Sequence, residues 1–217
     1  MSDSLITQPA LARTDAGRPQ PAAGDRNVDL RSIRRLGLTL TTGALLWAAS
    51  TLVFGPNGEG IGARVGDITG FFFQVGVFAL LTAMFRTGAT GVTRKARAMI
   101  RVEYVLLGLA SLWSLLHGLG SSSFGQSVPV MVLDVFWPLS MLGMFVIGIK
   151  VAVAGRWQGA LRFWPLVAET WAVVTVPTFL ILGDTPARWV GGVHLVIGYA
   201  ALGLLLARRP ELTGARR

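Results

Sequence analysis

Cysteine is absent from all 217 residues. That removes disulfides, thiolate metal sites, iron–sulfur clusters, C-x-x-C-H haem attachment and cysteine nucleophiles together. Charge is scarce as well. Only 14% of residues are Asp, Glu, Lys or Arg, against 52% hydrophobic, whereas a soluble domain carries about a quarter charged. A chain so short of polar side chains is poorly equipped to cover a water-facing surface. No P-loop, dinucleotide-binding glycine fingerprint, nucleophile elbow or H-E-x-x-H occurs, so the common local signatures of nucleotide-dependent and hydrolytic enzymes are missing.

What the sequence does have is six long apolar runs, at 36–54, 68–85, 102–117, 128–149, 163–182 and 189–207. Crossing the hydrocarbon takes about 20 mostly apolar residues in a helix. Lipid offers the backbone no hydrogen bonds, so helices are expected. A membrane β-barrel would need alternating segments, and the stretch GMFVIGIKVAVAG does not alternate. The sequence therefore predicts an all-α, polytopic integral membrane protein, a bundle of six transmembrane helices spanning 36–207. Residues 1–26 are polar and rich in Ala, Pro and Gly, and read as a disordered tail. Residues 27–35 form a basic juxtamembrane segment in which Asp29 could cap a short interfacial helix, with Leu30 and Ile33 facing lipid. Residues 208–217 form a second basic tail.

The 20 Lys and Arg residues set the orientation. Eighteen lie in the two tails and in the second and fourth joints, and only Arg64 and Arg188 lie on the other side. The positive-inside rule places both termini in the cytoplasm. It also accounts for the net charge of +9 without nucleic acid, which is not expected as a partner. The expected partners are the lipid bilayer and, within it, a second copy or another membrane protein. Arg outnumbers Lys 18 to 2, which suggests a GC-rich bacterium and hence a cytoplasmic (inner) membrane.

Ionisable groups inside a bilayer cost several kcal/mol unless satisfied, so they mark where function is sought. The chain offers Asp67, Glu103, His117, Asp134, Glu169 and His194, with Gln74 as an uncharged companion. Helical phase puts Asp67, Gly70 and Gln74 on one stripe, Glu103, Ala110, Ser114 and His117 on another, and Gly191, His194, Gly198 and Ala201 on a third. Small residues beside polar ones point to helix–helix contact. Counting depth from the span ends places Asp67, His117, Asp134 and His194 in the outer half, and Glu103 and Glu169 in the inner half. From this, Asp134 and His194 are expected to face each other or share a ligand. Glu103 is expected to pair with Arg101 at the cytoplasmic surface. Pro138 and Pro177 are expected to kink spans four and five. Trp164 and Trp189 fit the interface, while Trp47, Trp113, Trp137 and Trp171 pack deeper.

These features favour a non-enzymatic binding, sensing or accessory membrane protein, with the candidate ligand or proton site Asp134, His194, His117, Glu169, Asp67 and Gln74. A small proton- or cation-coupled transporter is the alternative. Three intramembrane chemistries rank below it. His117, His194 and Asp134 would make a sensible zinc set for a hydrolase. The two histidines could ligate haem. Gly120-Ser121-Ser122 before span four, with His194 in span six, resembles the rhomboid-type intramembrane proteases, which implies a serine–histidine protease. The serines precede the apolar run by several residues, and the first outer joint is too short for that family's large loop. No cofactor is expected, and metal binding at the His/Asp cluster is left open.

Overall fold

The structure, a computed structural model, describes residues 28–55, 58–120 and 127–215. It is 86% helical with no strand among the described residues. Six helices are long and apolar enough to cross a membrane: α1 Leu30–Phe54, α2 Ile61–Thr87, α3 Arg94–Leu119, α4 Val128–Ala154, α5 Trp164–Leu182 and α6 Asp184–Arg208. Each packs against its neighbours in sequence, and α6 returns to α1, so the six form a closed ring. Residues 28 and 215, the α2–α3 joint and the α4–α5 joint share one end, called here the basic end. The far end carries the α1–α2, α3–α4 and α5–α6 joints.

Glycine sets the closeness of the ring at α1. A Cβ on Gly37 would sit 2.5 Å from the Gly203 carbonyl oxygen, and one on Gly203 would sit 2.6 Å from that of Gly37. The α1 and α6 backbones touch there with no room for a side chain, the small-residue packing that joins helices where no hydrophobic drive separates them from lipid. Thr41 adds a bond from its hydroxyl to the Ala200 carbonyl, 3.2 Å. Fully buried Leu40, Leu80, Met84, Ile147, Leu202 and Leu206 fill the basic half. Outward, the surface is a belt of exposed large apolar residues such as Val102, Leu142, Val153, Leu180 and Ile181.

Three helices are interrupted part-way. The α4 helix breaks at Val135, between Val128–Asp134 and Phe136–Ala154. Pro138 accounts for it, because its ring clashes with the carbonyl four residues back, that of Asp134. The α5 helix breaks at Thr170, between Trp164–Glu169 and Trp171–Leu182. Pro177 lies inside the second, unbroken piece, so the kink expected there falls seven residues earlier. Thr170 makes it by turning both its backbone N–H and its hydroxyl onto the Val167 carbonyl, at 3.3 and 2.7 Å. The α6 helix holds a π segment at Val196–Ala200. Trp164 Nε1 donates to the Ile197 and Gly198 carbonyls there, so this indole, at the first residue of α5, also braces the bulge.

Two expectations about the segment at 27–35 change. Residues from Leu30 are the first turns of α1, capped by Asp29 accepting from the Arg31 N–H at 3.1 Å. Ile33 is fully buried and does not face lipid. The tail at 1–26 and the serines at 121 and 122 lie outside the described residues. Part of the C-terminal basic tail is ordered: Pro210–Thr213 form a turn of 3-10 helix, and the Leu212 carbonyl accepts from the Gln158 N–H at 2.9 Å.

Candidate ligand cavity

The α2–α3 hairpin brings two polar stripes together. Asp67 and His117 meet near the far end, with Oδ2 and Nδ1 2.7 Å apart and both side chains partly exposed. The His117 ring stacks on Trp113, centroids 5.0 Å apart and planes 10° apart. About two turns deeper on α2 and one on α3, Gln74 Nε2 donates to Ser114 Oγ at 3.0 Å, with both residues buried. Spacings of seven residues on α2 and three on α3 set these pairs, because both hold one face of a helix.

These pairs form one wall of a cavity of about 460 Å³ in the far half. Its aromatic lining is Trp47, Phe73, Trp113, Trp137, Trp171 and Phe179. Trp47, Trp137 and Trp171 form a triangle with centroid separations of 5.1, 5.9 and 6.3 Å, and Phe73 stacks on Trp47 at 4.7 Å. The main polar side chains are Asp67, Gln74, Ser114, His117, Asp134 and Thr175. Asp134 is exposed and near enough to Asp67 to interact electrostatically. Three buried polar atoms on the wall have no hydrogen-bond partner: Gln74 Oε1, Thr175 Oγ1 and Trp113 Nε1. Leaving such an atom unpaired costs about 1–3 kcal/mol, and each is enclosed by protein atoms rather than open to the cavity.

A second polar centre lies toward the basic end, below the indoles. Glu103 is 2% exposed and accepts from Ser140 Oγ at 2.5 Å. Gly143 makes room for it, since a Cβ there would collide with Glu103 Oε2. Glu169, also 2% exposed, accepts from the Tyr199 hydroxyl at 2.6 Å, and its Oε1 is unpartnered. The π segment carries Tyr199, and the Thr170 break follows Glu169, so both irregularities flank this bond. The two glutamates interact electrostatically.

The site expected from the sequence is therefore divided. Asp67, Gln74, His117 and Asp134 line one cavity, while Glu169 belongs to the lower centre. His194 belongs to neither: its Nε2 lies 3.0 Å from the Val167 carbonyl and 3.3 Å from the Thr170 hydroxyl, at the α5 break. The expected Asp134–His194 contact is not formed. Depth for His194 was counted from Trp189, but α6 begins at Asp184, so His194 sits about three turns in rather than one. This also separates the proposed zinc and haem ligands, and no group of three His, Asp or Glu side chains suited to a metal occurs among the described residues. The Glu103–Arg101 ion pair is likewise absent. Two residues along a helix is a turn of about 200°, so Glu103 points into the bundle while the Arg101 guanidinium lies 6.0 Å over the Phe85 ring. The cavity role of the four deeper tryptophans escaped the sequence reading, which treated them only as packing.

Comparison with protein-family models, curated proteins and solved structures finds no match. The cavity is argued from its own residues.

Proposed function

We propose that this chain is a multi-pass protein of the cytoplasmic membrane, with both termini cytoplasmic, from a GC-rich bacterium. It binds a small ligand from the outer side and performs no chemistry on it, as a sensing or accessory protein would. Six span-length apolar helices and the 18-to-2 division of basic residues support the location and orientation. The observation that carries the binding role is the cavity of about 460 Å³ with its aromatic walls and the Asp67, His117 and Asp134 side chains on its lining. Its volume lies in the range of small-molecule sites, which combine apolar walls with a few convergent polar groups.

Cavity filling tests it. A Cβ at Gly66, on the cavity lining, meets nothing within 4 Å, so Gly66→Phe should fold while occluding the space. In detergent, a panel of cationic, neutral and anionic small molecules should include at least one that raises the melting temperature saturably and changes tryptophan fluorescence. Gly66→Phe should abolish both responses. A response that survives Gly66→Phe unchanged places binding elsewhere. Orientation has its own test: in intact cells an impermeant thiol reagent should label Ser122→Cys and not Ser2→Cys, and the reverse pattern overturns it.

A second reading, a small proton- or cation-coupled transporter, rests on the interruptions of α4, α5 and α6. Broken helices around a buried site are the usual construction of carriers, and Glu103 and Glu169 lie between the cavity and the cytoplasmic side. Purified protein in sealed vesicles separates the two: saturable uptake of the bound ligand selects transport, and binding without uptake selects sensing.

A further inference from the structure

We infer that the ligand is a small organic ammonium cation, held by the indole faces of the outer cavity and by the Asp134 and Asp67 carboxylates. This rests on the binding role proposed above and names its ligand class.

The charge on the lining has one sign. Asp67 and Asp134 face the space, and no Lys or Arg lines it, in a chain whose net charge is +9. Basic residues are thus plentiful in the chain but none lines the cavity. Asp67 is already hydrogen-bonded to His117. Asp134 makes no hydrogen bond or ion pair among the described residues, which leaves it the carboxylate open to a guest.

The walls supply the remaining attraction. A cation over an indole face is drawn by the ring quadrupole, most strongly for Trp, and groups of such rings are the usual receptors for alkylammonium groups. Trp47, Trp137 and Trp171 pack on one another with centroids 5.1–6.3 Å apart, Phe73 stacks on one face of Trp47 and His117 on one face of Trp113, so a cation would meet what these contacts leave uncovered on the cavity side. An anion would meet two carboxylates with no guanidinium or ammonium to offset them. A neutral apolar guest would draw nothing from either carboxylate.

Choline and benzyltrimethylammonium serve as cationic probes, 3,3-dimethylbutan-1-ol as the neutral isostere of choline, and benzoate as the anion. Binding is read by tryptophan fluorescence and melting temperature in a maltoside detergent, since phosphatidylcholine would itself present choline. The expected result is saturable binding of the cations, about tenfold or more tighter for choline than for its neutral isostere. Asp134→Asn should weaken the cations by about tenfold and leave the melting temperature of the free protein unchanged. Equal affinity for choline and its isostere, or preference for benzoate, overturns the cation assignment and leaves a binding site in place. Silence from all four probes, with Gly66→Phe indistinguishable from the parent protein, overturns both.

Discussion

The two halves of the bundle use the same six helices in opposite ways. Toward the basic end the helices close on one another: Gly37 and Gly203 let two backbones touch, and fully buried leucines fill the space between. Toward the far end they enclose a cavity, although Gly118, Gly191 and Gly192 still bring neighbouring helices into contact. The last stretch of α5, Trp171–Leu182, packs mainly on α6, and the room it leaves is lined by aromatic rings and polar side chains. Packing that could have continued to the end was instead interrupted at Val135 and Thr170. Burial holds the first half together, and the second is organised around a space.

The largest effect should come from disturbing the closed half. Gly37→Leu or Gly203→Leu would drive a side chain into backbone at about 2.5 Å. The helix crossing would have to open, with a loss of about 3 kcal/mol or more. Unfolding by denaturing detergent should register this as a large drop in midpoint, whereas Gly66→Leu, in the open half, should leave the midpoint within error. If both halves respond alike, the contrast between them fails.

A middle-sized effect belongs to the boundary. Tyr199→Phe removes the one hydrogen bond that Glu169 receives and leaves both carboxyl oxygens without a partner, for a loss of about 1–3 kcal/mol. Adding Glu169→Leu to Tyr199→Phe should recover much of that, because the orphaned group is then gone. Strict additivity of the two losses in such a cycle would mean that the bond contributes nothing.

The smallest effect is expected at the mouth. Asp67 and His117 are partly exposed, so Asp67→Asn should cost about 1 kcal/mol or less. What it should change visibly is the indole of Trp113, which stacks on the His117 ring: freed from its carboxylate, the imidazole loses its fixed position. An altered tryptophan emission with a nearly unchanged unfolding midpoint is the expected outcome, and a collapse in stability would make this pair structural rather than part of the cavity.

How much of this was legible beforehand differs by scale. Helix number and approximate bounds follow from the apolar runs, because span length is imposed by a thickness the sequence must match. The stripes on α2 and α3 were legible too: Gln74 and Ser114 lie where the phase put them, inside the bundle. The partner of each stripe was not. Asp134 and His194 were matched by depth, and the depth was wrong because Asp184–Arg188, too polar to count as apolar, are still helix. A better signal existed for Asp67 and His117. They lie at similar numbers of residues on either side of the α2–α3 joint, and consecutive antiparallel helices joined by a short turn pack together.

The sequence by itself determined the number of helices, their polar faces and, through its basic residues, an expected orientation, since each depends on local pattern and on interaction with solvent or lipid. Only the tertiary structure decided that Glu103 turns to Ser140 and not to Arg101, that Glu169 meets Tyr199, and that four tryptophans surround a cavity. Those outcomes depend on how helices rotate and splay against one another. That is settled by steric fit at places such as Gly37, Gly143 and Gly203 and by the breaks at Val135, Thr170 and Val196–Ala200, where interactions distant in sequence override the regular helical period.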